Sequence, residues 1–387
     1  MPTTLSKRIA NLPPYLFAEI DRMKAAVIAR GVDVISLGIG DPDLPTPDFI
    51  IDALAAAARV PTNHQYSSYA GMLEFRQAVA RWYQHRFHVS LDAEKEVLGL
   101  IGSKEAIANF PFAFVDPGDV VLYTEPGYPV YRSSTLYAGG EPYPLPLLAQ
   151  NNFLPDLDSI PLDVAKRAKI LWFNYPNNPT SAEADADFFK KAIAFCHKHD
   201  IVLAHDAAYT EVHFGPRPFS VLEFDGAREV AIEFHSLSKT FNMTGWRLGM
   251  AVGNQKYVQA LGQIKTNVDS GQFQAVQMAG VAALDRADEV TRQLNPIYKH
   301  RRDIMTAALA KIGITPHKTE SSFYMWCPVP KGFDSKSFAG RLLEEKGVVV
   351  TPGTGFGPSG EGYFRISLTA PDARLQQAAD RIAELKI

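Results

Sequence analysis

Short apolar runs alternate with helical patterns from residue 97 to residue 252, and no other feature of the chain limits its fold as much. Val97–Ile101, Val120–Thr124, Ile170–Asn174, Ile201–His205, Val230–His235 and Leu248–Val252 read as strands. Between them, helical stretches run from Ser103 to about Phe110, before Pro111, and from Asp185 to His199, with Ser103 as the expected N-cap of the first. Such alternation predicts an α/β chain whose sheet is mostly parallel and covered by helices on both faces.

The flanks follow a different pattern. Residues 13–30 read as a helix starting near Pro14. Val34–Leu37 is a short apolar strand, and Gly38 to Asp43 a turn. Pro47–Ala58 and Gly71–His85 are amphipathic helices. Residues 255–310 are helical, and then Phe323–Cys327, Ser335–Lys346, Val348–Val350, Tyr363–Leu368 and a helix from Asp372 make a smaller α+β pattern. The 387 residues suit about two domains. The expected division is a large domain over 46–284 and a small α+β domain assembled from 1–45 and 285–387.

Composition excludes several classes. A net charge of -3, from 39 basic and 42 acidic residues, gives no general reason to bind nucleic acid or acidic membranes. Two cysteines, Cys196 and Cys327, make neither a disulfide framework nor a thiolate zinc site. His197 and His199 do not share a helix face, and no third ligand stands at metal spacing, so no metal is expected. Lys7 and Arg8 are followed by no apolar stretch, which predicts no signal peptide. No apolar run reaches the roughly 18 residues of a membrane span. The expectation is a cytoplasmic protein.

Gly355-Phe356-Gly357-Pro358-Ser359-Gly360 matches G-x-G-x-x-G, but Pro358 and the strand pattern after it predict a loop entering a strand, with no dinucleotide site. The informative segment is Ser236-Leu237-Ser238-Lys239-Thr240-Phe241-Asn242-Met243-Thr244-Gly245-Trp246-Arg247-Leu248-Gly249. Two serines, a lysine and an arginine crowd into one loop after a strand. Two hydroxyls and a bidentate guanidinium can bind a phosphate. A lysine beside a bound phosphate and an aldehyde can form a Schiff base.

This segment resembles the lysine motif of the class I/II aminotransferases, pyridoxal-phosphate enzymes of fold type I. The resemblance implies that Lys239 carries pyridoxal 5'-phosphate and that Ser236, Ser238 and Arg247 hold its phosphate. Gly102-Ser103-Lys104-Glu105-Ala106 opens a helix after a strand, where free N–H groups attract anions, and Gly102, Ser103 and Lys104 complete the phosphate cup. Asp206 ends a strand, and there it can pair with a protonated pyridine nitrogen. Tyr209 resembles the tyrosine that hydrogen-bonds the cofactor's phenolic oxygen. In Asn174-Tyr175-Pro176-Asn177-Asn178-Pro179-Thr180, Asn178 resembles the second donor to that oxygen; Ser181 replaces the family's usual glycine. Tyr128, in Pro126-Gly127-Tyr128-Pro129-Val130-Tyr131, resembles the aromatic stacked on the ring. Tyr66, five residues before Gly71, resembles the tyrosine that reaches the neighbour's phosphate, which implies a homodimer with shared active sites. Arg365 resembles the clamp on the substrate α-carboxylate, and Gly40 lets backbone approach the substrate. The implied catalytic residues are Lys239, Asp206 and Tyr209. The resemblance spans about Tyr15 to Leu368.

Within the family, Tyr15-Leu16-Phe17, Gly102-Ser103-Lys104-Glu105, the Tyr128 segment and Lys265-Thr266-Asn267-Val268-Asp269-Ser270-Gly271 resemble the branch acting on LL-diaminopimelate and 2-oxoglutarate in lysine synthesis. On that reading Tyr15, Lys104, Tyr128 and Asn178 join Arg365 and Gly40 in binding substrate, with polar residues near Gln274. Family members often carry a glutamate just before the glycine at Gly71; here Tyr69 and Ala70 stand there. A broader glutamate, alanine or aspartate aminotransferase therefore stays open, as does a lyase of the same fold that eliminates at Cβ or Cγ. A regulator reusing the fold usually adds a DNA-binding domain, and the residues before Tyr15 leave no room for one.

Overall fold

The computed structural model describes Ser6, Ile9 and residues 16–386. In chain order its strands are β1 (Ile35–Ser36), β2 (Val97–Leu100), β3 (Val120–Glu125), β4 (Glu141–Pro146), β5 (Ala168–Asn174), β6 (Val202–Asp206), β7 (Ala231–Ser236), β8 (Gly249–Gly253), β9 (Tyr324–Pro328), β10 (Val348–Val349), β11 (Thr351–Pro352) and β12 (Tyr363–Ser367). A seven-stranded sheet runs in the order β2-β8-β7-β6-β5-β3-β4. Every neighbouring pair is parallel except those made by β8, which is antiparallel to both β2 and β7. The mostly parallel α/β fold expected from the alternation is the one observed. Strands β3, β6 and β7 are buried along their whole length, which is why they read as continuous apolar runs.

Strand β4 is the one strand of the seven-stranded sheet that the apolar pattern does not reveal. Its Pro142, Pro144 and Pro146 pair with Val121, Tyr123 and Glu125 of β3. Prolines two apart point their missing N–H groups to the same side, so β4 takes an edge where that side needs no donor. The first helix after β2 also differs. Ser103 is its first helical residue, and Gly102 occupies the cap position with φ 72°. Glycine adopts that angle without strain, and a Cβ there would collide with the Arg247 guanidinium.

The C-terminal part holds a three-stranded antiparallel sheet, β11-β12-β9, and β1 pairs in parallel with β10. One apolar cluster lies under the seven-stranded sheet and includes Phe75, Trp82, Leu171, Phe173 and Val290. Another joins Ile35 and Leu37 to Tyr209, Phe323, Tyr324 and Ile366. The helix Ala287–Lys311 contributes Ala287 and Val290 to the first and Tyr298 and Met305 to the second. From the same helix, buried Arg301 bonds Asp43 at 2.6 and 2.9 Å, Asp372 at 2.7 Å and the Leu368 carbonyl at 3.0 Å. It pins the turn that carries Gly40. Removing one partner of such a pair costs about 3–5 kcal/mol. Among the described residues no helix is long and apolar enough to cross a membrane.

Candidate active site

Open α/β sheets bind ligands outside the C-terminal ends of their strands. Here Asn174, Asp206 and Ser236 end β5, β6 and β7. All three line one cavity of about 320 Å³ together with Gly40, Ser103, Lys104, Tyr128, Asn178, Tyr209, Ser238, Lys239, Arg247 and Arg365. Side chains alternate along a strand. His205 and His235, next to Asp206 and Ser236, instead meet Glu233, at 2.9 and 2.7 Å. A second cavity, of about 300 Å³, lies among Tyr175, Phe189 and Phe219 and has no lysine in its wall.

Lys239 sits on a single helical turn, Leu237–Thr240, whose N-cap Ser236 accepts the Ser238 N–H. Its Nζ donates to the Gly40 carbonyl at 2.9 Å. Burial, with smaller contributions from the Arg247 and Arg365 charges, brings its pKa down to about 8, against the opposing pull of Asp41. An amine so placed gives up its proton far more readily than a surface lysine.

Asp206 is buried, and Tyr131 donates its hydroxyl to Oδ2 at 2.7 Å. Oδ1 is buried with no hydrogen-bond partner. Burial raises the carboxyl pKa, while Tyr131 and then the His205 charge pull it back. A buried carboxylate with one open oxygen is set up to meet a cation or a strong donor.

Arg365 is 2% exposed, its guanidinium carbon 4.1 Å from the Tyr324 ring centre and 4.6 Å from that of Phe356. Its Nη1 donates to Asn178 Oδ1 and its Nη2 to the Gly38 carbonyl, both at 2.7 Å, and buried Nε has no partner. Burial shifts its pKa downward. An incoming carboxylate would restore what desolvation removes. The bond to Arg365 occupies Asn178 Oδ1, which leaves the amide nitrogen as the group Asn178 can offer a ligand. Tyr209 and Tyr324 bring their hydroxyls to 3.3 Å, and burial holds the Tyr209 phenol well above its ordinary pKa, so it stays a donor.

Arg247 donates from Nη1 to Ser238 Oγ at 3.4 Å and to the Thr244 carbonyl at 2.7 Å. With Ser103, Ser236 and Lys104 in the same wall, this end of the cavity is rich in donors suited to an anion. Tyr128 packs edge-on against Tyr131 at 5.9 Å.

The structure thus gathers almost every residue singled out from the sequence. Gly102 underlies the Arg247 guanidinium. Tyr66 is one exception: it is 87% exposed and does not line the cavity. Tyr15 lies outside the described residues. Gln274 bonds the carbonyls of Gln65 and Tyr66 and is not in the cavity wall. Sequence reasoning missed Tyr131, Asn174, Tyr324 and Phe356 as site residues. Tyr131 had a signal, since it follows Tyr128 by three residues in the same motif and lies in the first turn of the helix Val130–Ala138. Tyr324 had none, because an aromatic at the start of a buried strand reads as core. The glycine-rich Gly355 segment forms two short 3-10 turns, Gly353–Phe356 and Pro358–Gly360, ahead of β12.

The profile of the family described as aminotransferase class I and II matches residues 32–382. The chain is 57% identical over 383 residues to LL-diaminopimelate aminotransferase of Aquifex aeolicus, covering 99% of each sequence. It is 58% identical over 384 residues to the enzyme of the same name from Nitratidesulfovibrio vulgaris strain DSM 19637, covering 98% of this chain and 99% of that one. A solved aminotransferase from Staphylococcus aureus superposes with a TM-score of 0.91 at 36% identity, covering 98% of each chain.

Proposed function

The chain belongs to the class I and II aminotransferases, and from that premise we propose that it exchanges the amino group of LL-diaminopimelate with 2-oxoglutarate, in lysine biosynthesis. It is a pyridoxal-phosphate-dependent transaminase. The observation that carries the substrate is the full-length identity of 57% to an enzyme of that name.

The residues fit pyridoxal phosphate. The open, buried Oδ1 of Asp206 suits a protonated ring nitrogen, and the bare backbone at Gly102 makes room for Arg247 at the anion end. Ser103, Lys104, Ser236, Ser238 and Arg247 would hold the phosphate. Asn178 and Tyr209 would donate to the phenolic oxygen, Tyr128 would cover the ring, and Lys239 would take the aldehyde. When bound, the group supplies the aldehyde that exchanges the amino group and a ring that draws electrons from the substrate Cα. Asp206 would keep the nitrogen of that ring protonated. Arg365 orients the α-carboxylate. Once the substrate's amino group has taken its place on the aldehyde carbon, the freed Lys239 Nζ, with its proton affinity lowered by burial, would take the proton from Cα and return it to that carbon.

LL-Diaminopimelate also has a distal carboxylate and a distal ammonium, and burying either without a partner costs several kcal/mol. Lys104, in the cavity wall, suits the carboxylate. Tyr15 and Tyr128 suit the ammonium. The absence of a carboxylate at Tyr69 and Ala70 favours a second reading, a broader glutamate, alanine or aspartate exchange. The exposed Tyr66 supports a homodimer in which this ring serves the partner's phosphate. The test is a half-reaction screen: each amino acid is mixed with the holoenzyme and loss of the cofactor's absorbance band is followed. No response to LL-diaminopimelate would overturn the substrate assignment.

A further inference from the structure

Arg247 stands in the left-handed region, at φ 56° and ψ 53°. A residue with a side chain stays there only when its surroundings impose the angles. Gln272 bonds the backbone on both sides of Arg247. Its Nε2 donates to the Trp246 carbonyl at 2.6 Å and to the Arg247 carbonyl at 2.7 Å. Those two carbonyls belong to the peptide planes on either side of the Arg247 Cα, so one amide fixes both dihedrals. Gln272 is itself anchored. Its carbonyl accepts from Gln277 Nε2 at 2.7 Å, and Gln277 is buried. On its other side the Gly271 N–H donates to Asp269 Oδ1 at 2.8 Å, and Asp269 grips buried Lys265 at 2.6 and 2.7 Å. Lys265 also reaches Glu105 at 3.4 Å, next to the turn that carries Ser103 and Lys104.

We propose that Gln272 is a positioning residue for the anion end of the site: it sets the Arg247 backbone so that the guanidinium lies over Gly102 and faces the phosphate. Gln272 does not line the cavity and acts only through Arg247. The inference rests on the reading of Arg247 as a phosphate ligand.

The test compares the affinity of the apoenzyme for pyridoxal phosphate with its affinity for pyridoxal, which lacks the phosphate, by equilibrium absorbance titration. Gln272→Met keeps the length of the side chain and removes both donors. It should weaken pyridoxal phosphate about tenfold while changing pyridoxal less than about twofold, the scale of one lost hydrogen bond. Gln272→Glu sets a carboxylate against two carbonyl oxygens and should weaken the phosphorylated ligand further. A role in general stability would lower the unfolding midpoint and weaken both ligands alike; that result, or no loss for either ligand, overturns the proposal. Arg247→Ala is the reference. If it leaves the ratio of the two affinities unchanged, the phosphate reading of Arg247 fails. If it collapses the ratio while Gln272→Met preserves it, Arg247 keeps its role and Gln272 loses its own.

Discussion

The Tyr131 hydroxyl donates to Asp206 Oδ2 at 2.7 Å and leaves Oδ1 of the same carboxylate buried without a hydrogen-bond partner, on a residue that lines the cavity. One oxygen is fixed by the protein, and on the proposed function the other meets the protonated ring nitrogen. Asp206→Ala should lower the rate of the amino-acid half-reaction by on the order of 10³-fold, roughly 4 kcal/mol. Tyr131→Phe removes one charge-assisted hydrogen bond and should cost about tenfold. Stopped-flow absorbance on both variants checks this; a loss under about tenfold for Asp206→Ala would contradict the pairing with the ring nitrogen.

Lys239 is the expected attachment point of the cofactor. Borohydride reduction and peptide mapping should find the phosphopyridoxyl group there, and a label on Lys104 or Lys265 would refute it. In the apoenzyme its amine should react with an acylating reagent along a pH profile with its midpoint at about 8. The sign also governs stability. The folded-state pKa lies below the unfolded one, so the unfolded chain binds the extra proton between about 8 and 10.5. Stability from this group therefore rises with pH across that window and is lost as pH falls through 8. Lys239→Ala should flatten that part of the apoenzyme's stability profile and abolish turnover, with the fold retained.

Tyr66 should act on the partner's site. Lys239→Ala and Tyr66→Ala chains, each inactive in its own dimer, should regain activity when mixed, because one of the two sites in a hybrid dimer is then intact. Subunit exchange shown by mass, without any return of activity, would rule out the shared site.

LL-Diaminopimelate should exceed glutamate, alanine and aspartate as amino donor in kcat/KM. An excess of about tenfold, or 1.4 kcal/mol, for alanine or aspartate over LL-diaminopimelate would leave the aminotransferase standing and remove the specific substrate.

The sequence by itself determined the sheet's character and named most of the residues that line the candidate site. Buried parallel strands must be apolar throughout, so β3, β5, β6 and β7 announce themselves. A loop that brings two serines, a lysine and an arginine together states its chemistry in one dimension. Edge strand β4 stayed hidden because three prolines, which argue against a central strand, are tolerated at an edge, and edge position is a property of the whole sheet. Only the tertiary structure decided that Tyr131 holds Asp206, 75 residues away. It also decided that Arg365 lies between Tyr324 and Phe356 and bonds Asn178, 187 residues away. It alone set Gln272 against both carbonyls around Arg247. Those pairings depend on where distant segments meet. A residue's chemistry is written in its side chain, but the desolvation that moves the Lys239 pKa, and the partner that leaves one oxygen of Asp206 free, exist only once the chain has closed around them.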